Sequence, residues 1–195
     1  FQSALAGHIG TRTKEMGKKI YEMLVDLKVS DAKAREWTKV IAEQFGKLKA
    51  ASAEKGKEFQ ELEIEQLAHF SPEEEIAIHA LVKQLAERQT EPNEQELKLL
   101  RQKHSAADIA LFGRMLAAAP AFNTEAAAQV AHALAVHRCQ VEDDFFTAVD
   151  DLNQGIEDVG AGHMGETEFG AALFYLYLCI DRALLLENLN NDRDL

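Results

Sequence analysis

The sequence predicts an α+β protein: a helical segment over roughly residues 30 to 104, then a small sheet built mainly from residues 106 to 180 that carries a long projecting arm. Three observations predict it. "SPEEE" at 71–75 opens a strongly capped helix, "FGAALFYLYLCI" at 169–180 is rich in strand formers, and a very acidic stretch interrupted by "GAGHMG" lies between the strand-like runs 126–140 and 169–180.

The 195 residues suit one domain, or one domain with an insertion, and can bury a proper core. A hydrophobic share of 47% with 28% charged residues predicts a soluble globular protein. Apolar runs such as "AALFYLYLCI" are too short to span a bilayer, so no membrane partner is expected. No signal peptide is visible, and two cysteines, Cys139 and Cys179, are too few for a disulfide framework, which fits a reducing cytoplasm. The chain opens on Phe1 rather than Met, the expectation for a fragment.

Taken in order, residues 11–28 place Met16, Ile20, Met23, Leu24 and Leu27 at helical spacing, with Arg12, Lys14, Lys18 and Lys19 in the first turns. Ser30 is an N-cap for a second helix that buries Trp37, Ile41, Phe45 and Leu48. "AASAEKGK" at 50–57 is a linker, and the alternation in "FQELEIEQLAHF" points to a short strand. Ser71 caps the next helix, Pro72 takes its first position and the acids oppose its dipole; it runs to about Gln89. Asn93 caps a further helix through Arg101.

The second half changes character. "ADIALFGRM" at 107–115 is a short apolar run expected as a strand. "AAAQVAHALAVHRCQ" at 126–140 is open between helix and strand on composition, with strand preferred in view of the strand-like run downstream. Alternation along 169–180 puts Phe174, Leu176, Leu178 and Ile180 on a core-like face and Leu173, Tyr175, Tyr177 and Cys179 on the other. That second face suits a ligand or a covering helix. The glycines around His163 and Met164 mark a hairpin tip or a close backbone approach.

A formal net charge of -12 argues against binding nucleic acid by overall charge, yet the charge is segregated. Residues 1–50 carry ten Lys and Arg against six Asp and Glu, whereas residues 141–168 hold nine acids and no Lys or Arg. Phe145 and Phe146 sit inside that acidic run. They either insert between bases, at a cost of a few kcal/mol per unstacked step, or pack back on their own domain. His132, His137 and Cys139 form the tightest group of metal-type ligands, but strand alternation leaves only His137 and Cys139 on one face and no second pair completes a tetrahedral set. Asp150, Asp151, Glu157 and Asp158 lack the EF-hand spacing. There is no Walker A loop, no G-x-S-x-G and no G-x-G-x-x-G, so no catalytic residue, metal or cofactor is expected.

Five motifs in register, "ADIALFGRM", "QVAHALAVHR", "FFTAVDDL", "GAGHMGETEFG" and "LFYLYLCIDRALLLENL", resemble the CasC-type backbone subunit of the Cascade CRISPR surveillance complex, a type I-E member of the RAMP/RRM-like superfamily. The resemblance covers 106–190 well and is weaker over 1–105, where "IGTRTK" is similar to the family's first helix. It implies an RRM-like (ferredoxin-like) palm, a helical "fingers" insertion and a β-hairpin "thumb". Residues 1–29 would be the first palm helix, 30–105 the fingers and 106–195 the palm strands, with the thumb at about 140–168. It also implies a non-enzymatic cytoplasmic subunit that binds guide crRNA and polymerises with neighbouring copies of itself. That filament would present the guide to target DNA and work beside other Cascade subunits in antiviral defence. Carried over by position, Phe146 and Thr147 stand where the thumb meets a displaced nucleotide, Met164 at the matching apolar position, and Met115 at the palm position beside it. The family's phosphate-gripping basic stretch and its later palm helix and strand fall outside this sequence, which leaves Arg12, Lys14, Lys18 and Lys19 as RNA-binding candidates. Two other classes stay open: a metal-dependent hydrolase using the carboxylates around Asp150, and an acidic interaction scaffold without nucleic acid.

Overall fold

Three amphipathic helices and a two-stranded ladder enclose the main core. The computed structural model describes residues 5, 7–51, 59–148 and 163–191, with the backbone alone at 144–148 and 163–166. Most of the linker expected at 50–57, and the acids Asp150, Asp151, Glu157 and Asp158, lie outside these residues.

The first element is not the single helix the spacing predicted. Strand β1 (Thr11–Thr13) pairs antiparallel with β2 (Ala68–Phe70), Arg12 opposite His69, and helix α1 begins only at Met16 and runs to Asp26. The pairing holds Arg12 extended, so Arg12 and Lys14 precede the helix while Lys18 and Lys19 lie in it. Met16, Ile20 and Leu24 are buried as expected, and Leu27 is exposed. Helix α2 (Asp31–Ala42) follows Ser30, whose backbone is extended as an N-cap requires although its hydroxyl makes no capping bond. It buries Ala34, Trp37 and Ile41, and Phe45 beyond it meets Phe70 edge-on at 4.9 Å. In 59–70 the expected strand is short: a turn of 3₁₀ helix at Gln60–Leu62, an isolated bridge between Leu48 and Ile64, and then β2.

Helix α3 (Pro72–Arg88) starts as the sequence dictates. The Ser71 hydroxyl accepts from the Glu74 N–H at 3.3 Å and the Glu74 carboxylate accepts from the Ser71 N–H at 2.9 Å, a reciprocal capping box. Ile78, Leu81, Val82 and Leu85 face the core. The helix expected from Asn93 to Arg101 is absent. Asn93 does cap a turn, accepting from the N–H groups of Gln95 and Glu96, but the chain then straightens. Leu99 and Leu100 are both buried, and the Arg101 N–H is captured by Glu74 at 2.7 Å. The strand expected at 107–115 is instead helix α4 (Ala107–Phe112), ended by Gly113 at φ 79°. Alanine-rich "AADIAL" favours helix, and Ile109 and Ala110 are buried by it.

The remaining strands are β3 (Ala128–Val130), β4 (Leu134–Ala135), β5 (Gln140–Ala148), β6 (His163–Ala171), β7 (Phe174–Tyr175) and β8 (Leu178–Ile180). They form three laddered pairs, β3 with β8, β4 with β7 and β5 with β6. The preference for strand over helix at 126–140 therefore holds, in pieces, and the run 169–180 is likewise broken. The mixed α+β class is as expected. The chain divides into two compact units, residues 1–129 with 179–195, and residues 130–178. Helix α5 (Arg182–Asn188), capped by Asp181 and anchored where Asn188 donates to the Ala110 and Glu125 carbonyls, belongs to the first.

One expectation about faces fails. Phe174, Leu176, Leu178 and Ile180 are not core; they are 44% to 59% exposed, and Leu173, Tyr175 and Tyr177 on the other face are exposed too. Among the described residues of 130–178 the regular elements are all strands, each paired with one neighbour.

A buried ion pair joins the pieces of the first unit. Arg114 and Glu74, both side chains fully inaccessible, meet at 2.7 Å. The guanidinium also donates to the carbonyls of His69, Arg101 and Phe122. Removing one partner strands the other charge in the core, so Glu74→Ala or Arg114→Met is expected to cost roughly 3–5 kcal/mol in urea unfolding, and the double replacement less than the sum.

His104 is buried beside this pair. Burial, and then the positive charge of Arg114, hold its imidazole below the ordinary 6.5. The folded state thus favours neutral His104, and the stability it confers is present above 6.5 and is lost as pH falls toward the lowered folded value. Melting temperature is expected to fall between neutral and mildly acidic pH, and to fall less in His104→Gln, which cannot titrate but can still accept from the Ala106 N–H.

Candidate functional site

The four candidate cations fall into two groups, Arg12 and Lys14 at β1 and just after it, and Lys18 and Lys19 in α1. Arg12 and Lys14, two residues apart, line a cleft of about 740 Å³ together with Leu67, His69, Asp108, Phe112, Gly113 and Met115. Thr11 and Thr13 line a different, smaller cleft of about 270 Å³ with Lys18 and Lys19. The structure therefore brings Arg12, Lys14 and Met115 together and leaves Lys18 and Lys19 apart from them. Lys19 approaches Glu75 at 3.4 Å on the surface.

The larger cleft has two chemically distinct walls. One is cationic: among the described residues neither Arg12 nor Lys14 makes an ion pair. Glu65, which also lines it, is met by Lys47 at 2.7 Å. The other wall is apolar, with Met115 79% and Phe112 60% exposed. Met115 is held out because its neighbour Arg114 is drawn into the core and because Gly113 turns the chain at φ 79°. A Cβ on Gly113 would come within 2.8 Å of the Thr124 carbonyl, so only glycine fits there.

The two walls meet at Asp108. Its carboxylate accepts from the Gly10 N–H at 3.0 and 3.1 Å and from His69 Nε2 at 2.9 Å, while the Ala107 N–H donates to the His8 carbonyl at 2.7 Å. Gly10 is pressed so close that a Cβ would lie 2.6 Å from the Phe70 carbonyl. Sequence reasoning missed Gly10, His69, Phe112 and Asp108. A glycine ahead of "TRTK" was a usable signal of close backbone approach. His69 and Asp108 are far apart in sequence and left none.

On the second unit, β5 and β6 pair over nine positions, with Thr147 directly opposite Met164 and Phe146 opposite Gly165. Of the two readings of the glycines around His163 and Met164, the hairpin tip is corrected: both residues belong to β6, paired with Ala148 and Thr147. At the base of this ladder a groove of about 420 Å³ is lined by Arg138, Gln140, Glu142, Phe169 and Ala171. His137 is occupied with backbone, accepting from the Leu173 N–H at 3.1 Å, and Cys139 Sγ approaches the Ala171 carbonyl at 3.6 Å. Among the described residues no group of three or more His, Cys, Asp and Glu converges as a metal site, and no helix is long and apolar enough to cross a membrane.

The arrangement can hold an anion against Arg12 and Lys14 while a flat apolar group rests on Met115 and Phe112. Comparison with known proteins adds to this. The chain is similar to a solved chain titled "CRISPR RNA-guided surveillance complex, pre-nicking", at 27% identity and a TM-score of 0.68, covering 99% of this chain and 54% of that one. A second, titled "CRISPR RNA-guided surveillance complex", matches at 20% identity and a TM-score of 0.61, covering 99% of this chain and 52% of that one, and speaks for the fold alone. The chain thus spans about half the length of the solved chains it matches. Among curated proteins none matches it significantly. The family described as CT1975-like protein matches from residue 1 to residue 195, and with its whole length inside that match the chain belongs to this family.

Proposed function

We propose that the chain acts as a CasC-type backbone subunit of a Cascade CRISPR surveillance complex, binding guide crRNA without cutting it. The observation that carries this reading is the pairing of cationic Arg12 and Lys14 with exposed Met115 and Phe112 across one cleft. Likeness to a chain of an RNA-guided complex supports it. Cations that neutralise phosphates release counterions and hold a strand regardless of its sequence. Exposed apolar and aromatic side chains take up base faces, worth roughly 1–3 kcal/mol per base. On this reading Lys18 and Lys19, in the smaller cleft, are separate cationic contacts for the RNA. Thr147, Phe146 and Met164 on the β5–β6 ladder meet a displaced nucleotide, and residues of about 140–168 provide the thumb beside an RRM-like palm. Target DNA engaged through the guide, neighbouring copies and other Cascade subunits are then the partners, in the cytoplasm.

The direct test is whether the full-length protein co-purifies with a discrete small RNA. A salt titration of RNA affinity then separates the two walls. Arg12→Ala or Lys14→Ala is expected to flatten the slope of log affinity against log salt by about one unit each. Met115→Ala is expected to weaken binding by at most roughly 1–3 kcal/mol at an unchanged slope, and to leave folding stability within about 0.5 kcal/mol. A protein that binds no RNA, or whose affinity ignores salt, sinks the reading. The non-enzymatic part predicts no cleavage of RNA or DNA with magnesium or manganese. Cleavage that disappears in Asp150→Ala would instead establish the hydrolase alternative.

A further inference from the structure

Asp108 is the unusual group of the large cleft: a carboxylate on the rim of what is proposed to hold an anionic polymer. As a bare charge it would repel phosphate. Its bonds assign it another task. Both of its oxygens lie within hydrogen-bonding distance of the Gly10 N–H, at 3.0 and 3.1 Å, and one also holds His69 Nε2 at 2.9 Å. Gly10 leads directly into β1, which carries Arg12 and is followed at once by Lys14. His69 faces Arg12 in the β1–β2 register. Asp108 itself stands in α4, whose end delivers Phe112, Gly113 and Met115. One side chain thus fastens the strand bearing the cations to the helix bearing the apolar wall.

We propose that Asp108 is a positioning residue for RNA, fixing the spacing at which a phosphate on Arg12 and Lys14 and a base on Met115 can be held together. This rests on the RNA-binding reading above. The carboxylate need not touch the ligand, because its charge is spent on Gly10 and His69. Gly10 is part of the same device, since a Cβ there would lie 2.6 Å from the Phe70 carbonyl and 2.8 Å from His69 Nε2, the ring that Asp108 holds.

The idea is separable from plain electrostatics because the two predict opposite signs. Deleting an acid beside a phosphate site should tighten binding and leave the number of phosphate contacts unchanged. Loss of positioning should weaken binding and flatten the salt slope although no cation has been removed. The experiment is a salt titration of a labelled single-stranded oligoribonucleotide on the full-length protein, stripped of bound nucleic acid, in wild type, Arg12→Ala, Asp108→Ala, Asp108→Asn and His69→Phe forms. Melting curves accompany each variant. Asp108→Ala is expected to flatten the slope by about one to two units, the contribution of Arg12 and Lys14. Asp108→Asn, which still offers an oxygen to Gly10, is expected to recover most of it. His69→Phe, which removes one anchor and keeps the ring, should fall between wild type and Asp108→Ala. If Asp108→Ala does not fold, His69→Phe and Asp108→Asn decide, and a wild-type slope in His69→Phe overturns the proposal. Equal or tighter binding by Asp108→Ala at the wild-type slope overturns it too, provided Arg12→Ala flattens the slope. If Arg12→Ala shows the wild-type slope, the RNA-cleft reading itself has failed.

Discussion

The first unit depends on one buried guanidinium. Arg114 enters the core with no exposed side-chain surface and satisfies its donors on Glu74 and on the carbonyls of His69, Arg101 and Phe122. Desolvating both charges is expensive, and the geometry offsets that cost only because neither ion is left with an unmet partner. Glu74 has a second commitment, to the Ser71 and Arg101 N–H groups. The start of α3, the end of β2, the chain after Asn93 and the turn at Phe122 therefore converge on two side chains. Lysine could not replace Arg114, since a single ammonium cannot reach carbonyls on several sides at once.

The cleft inherits its form from that arrangement. Because Arg114 turns inward, Met115 turns outward, and because Arg114 grips the His69 carbonyl, the strand opposite Arg12 is fixed as well. Period-two spacing then puts Arg12 and Lys14 on the large cleft and Thr11 and Thr13 on the smaller one. A cleft with one cationic and one apolar wall arises from packing rules that contain no reference to a ligand.

What was legible in the sequence was local. Ser71, Pro72 and the acids after them specify a helix start with their own side chains, and the structure has it there. Trp37 and Ile41 advertise a buried helical stripe. Tertiary commitments were illegible. Arg101 leaves a helical pattern because Glu74 and Arg114 claim its backbone, and Arg12 is extended because it pairs with a strand beginning at Ala68. "ADIALFGRM" misled through hydrophobicity, since an apolar run of that length does not distinguish a short buried helix from a strand. Of the cleft, Arg12, Lys14 and Met115 could be named from motif and charge. The Gly10–Asp108–His69 knot that joins them could not, being a contact among residues with no sequence relation.

The open strands at 173–180 carry a colloidal consequence. "LFYLYLCI" contains no charge and no proline, and its large side chains are well exposed. Opposing the approach of two such surfaces is long-range repulsion from the net charge of -12. That repulsion vanishes near the isoelectric point of about 5.0 and shortens in range as ionic strength rises. Attraction between the apolar strips survives both changes and is strengthened by sulfate or phosphate salts. The molecule is therefore a charged particle with a sticky band, whose phase behaviour is set by the acids it carries on the rest of its length.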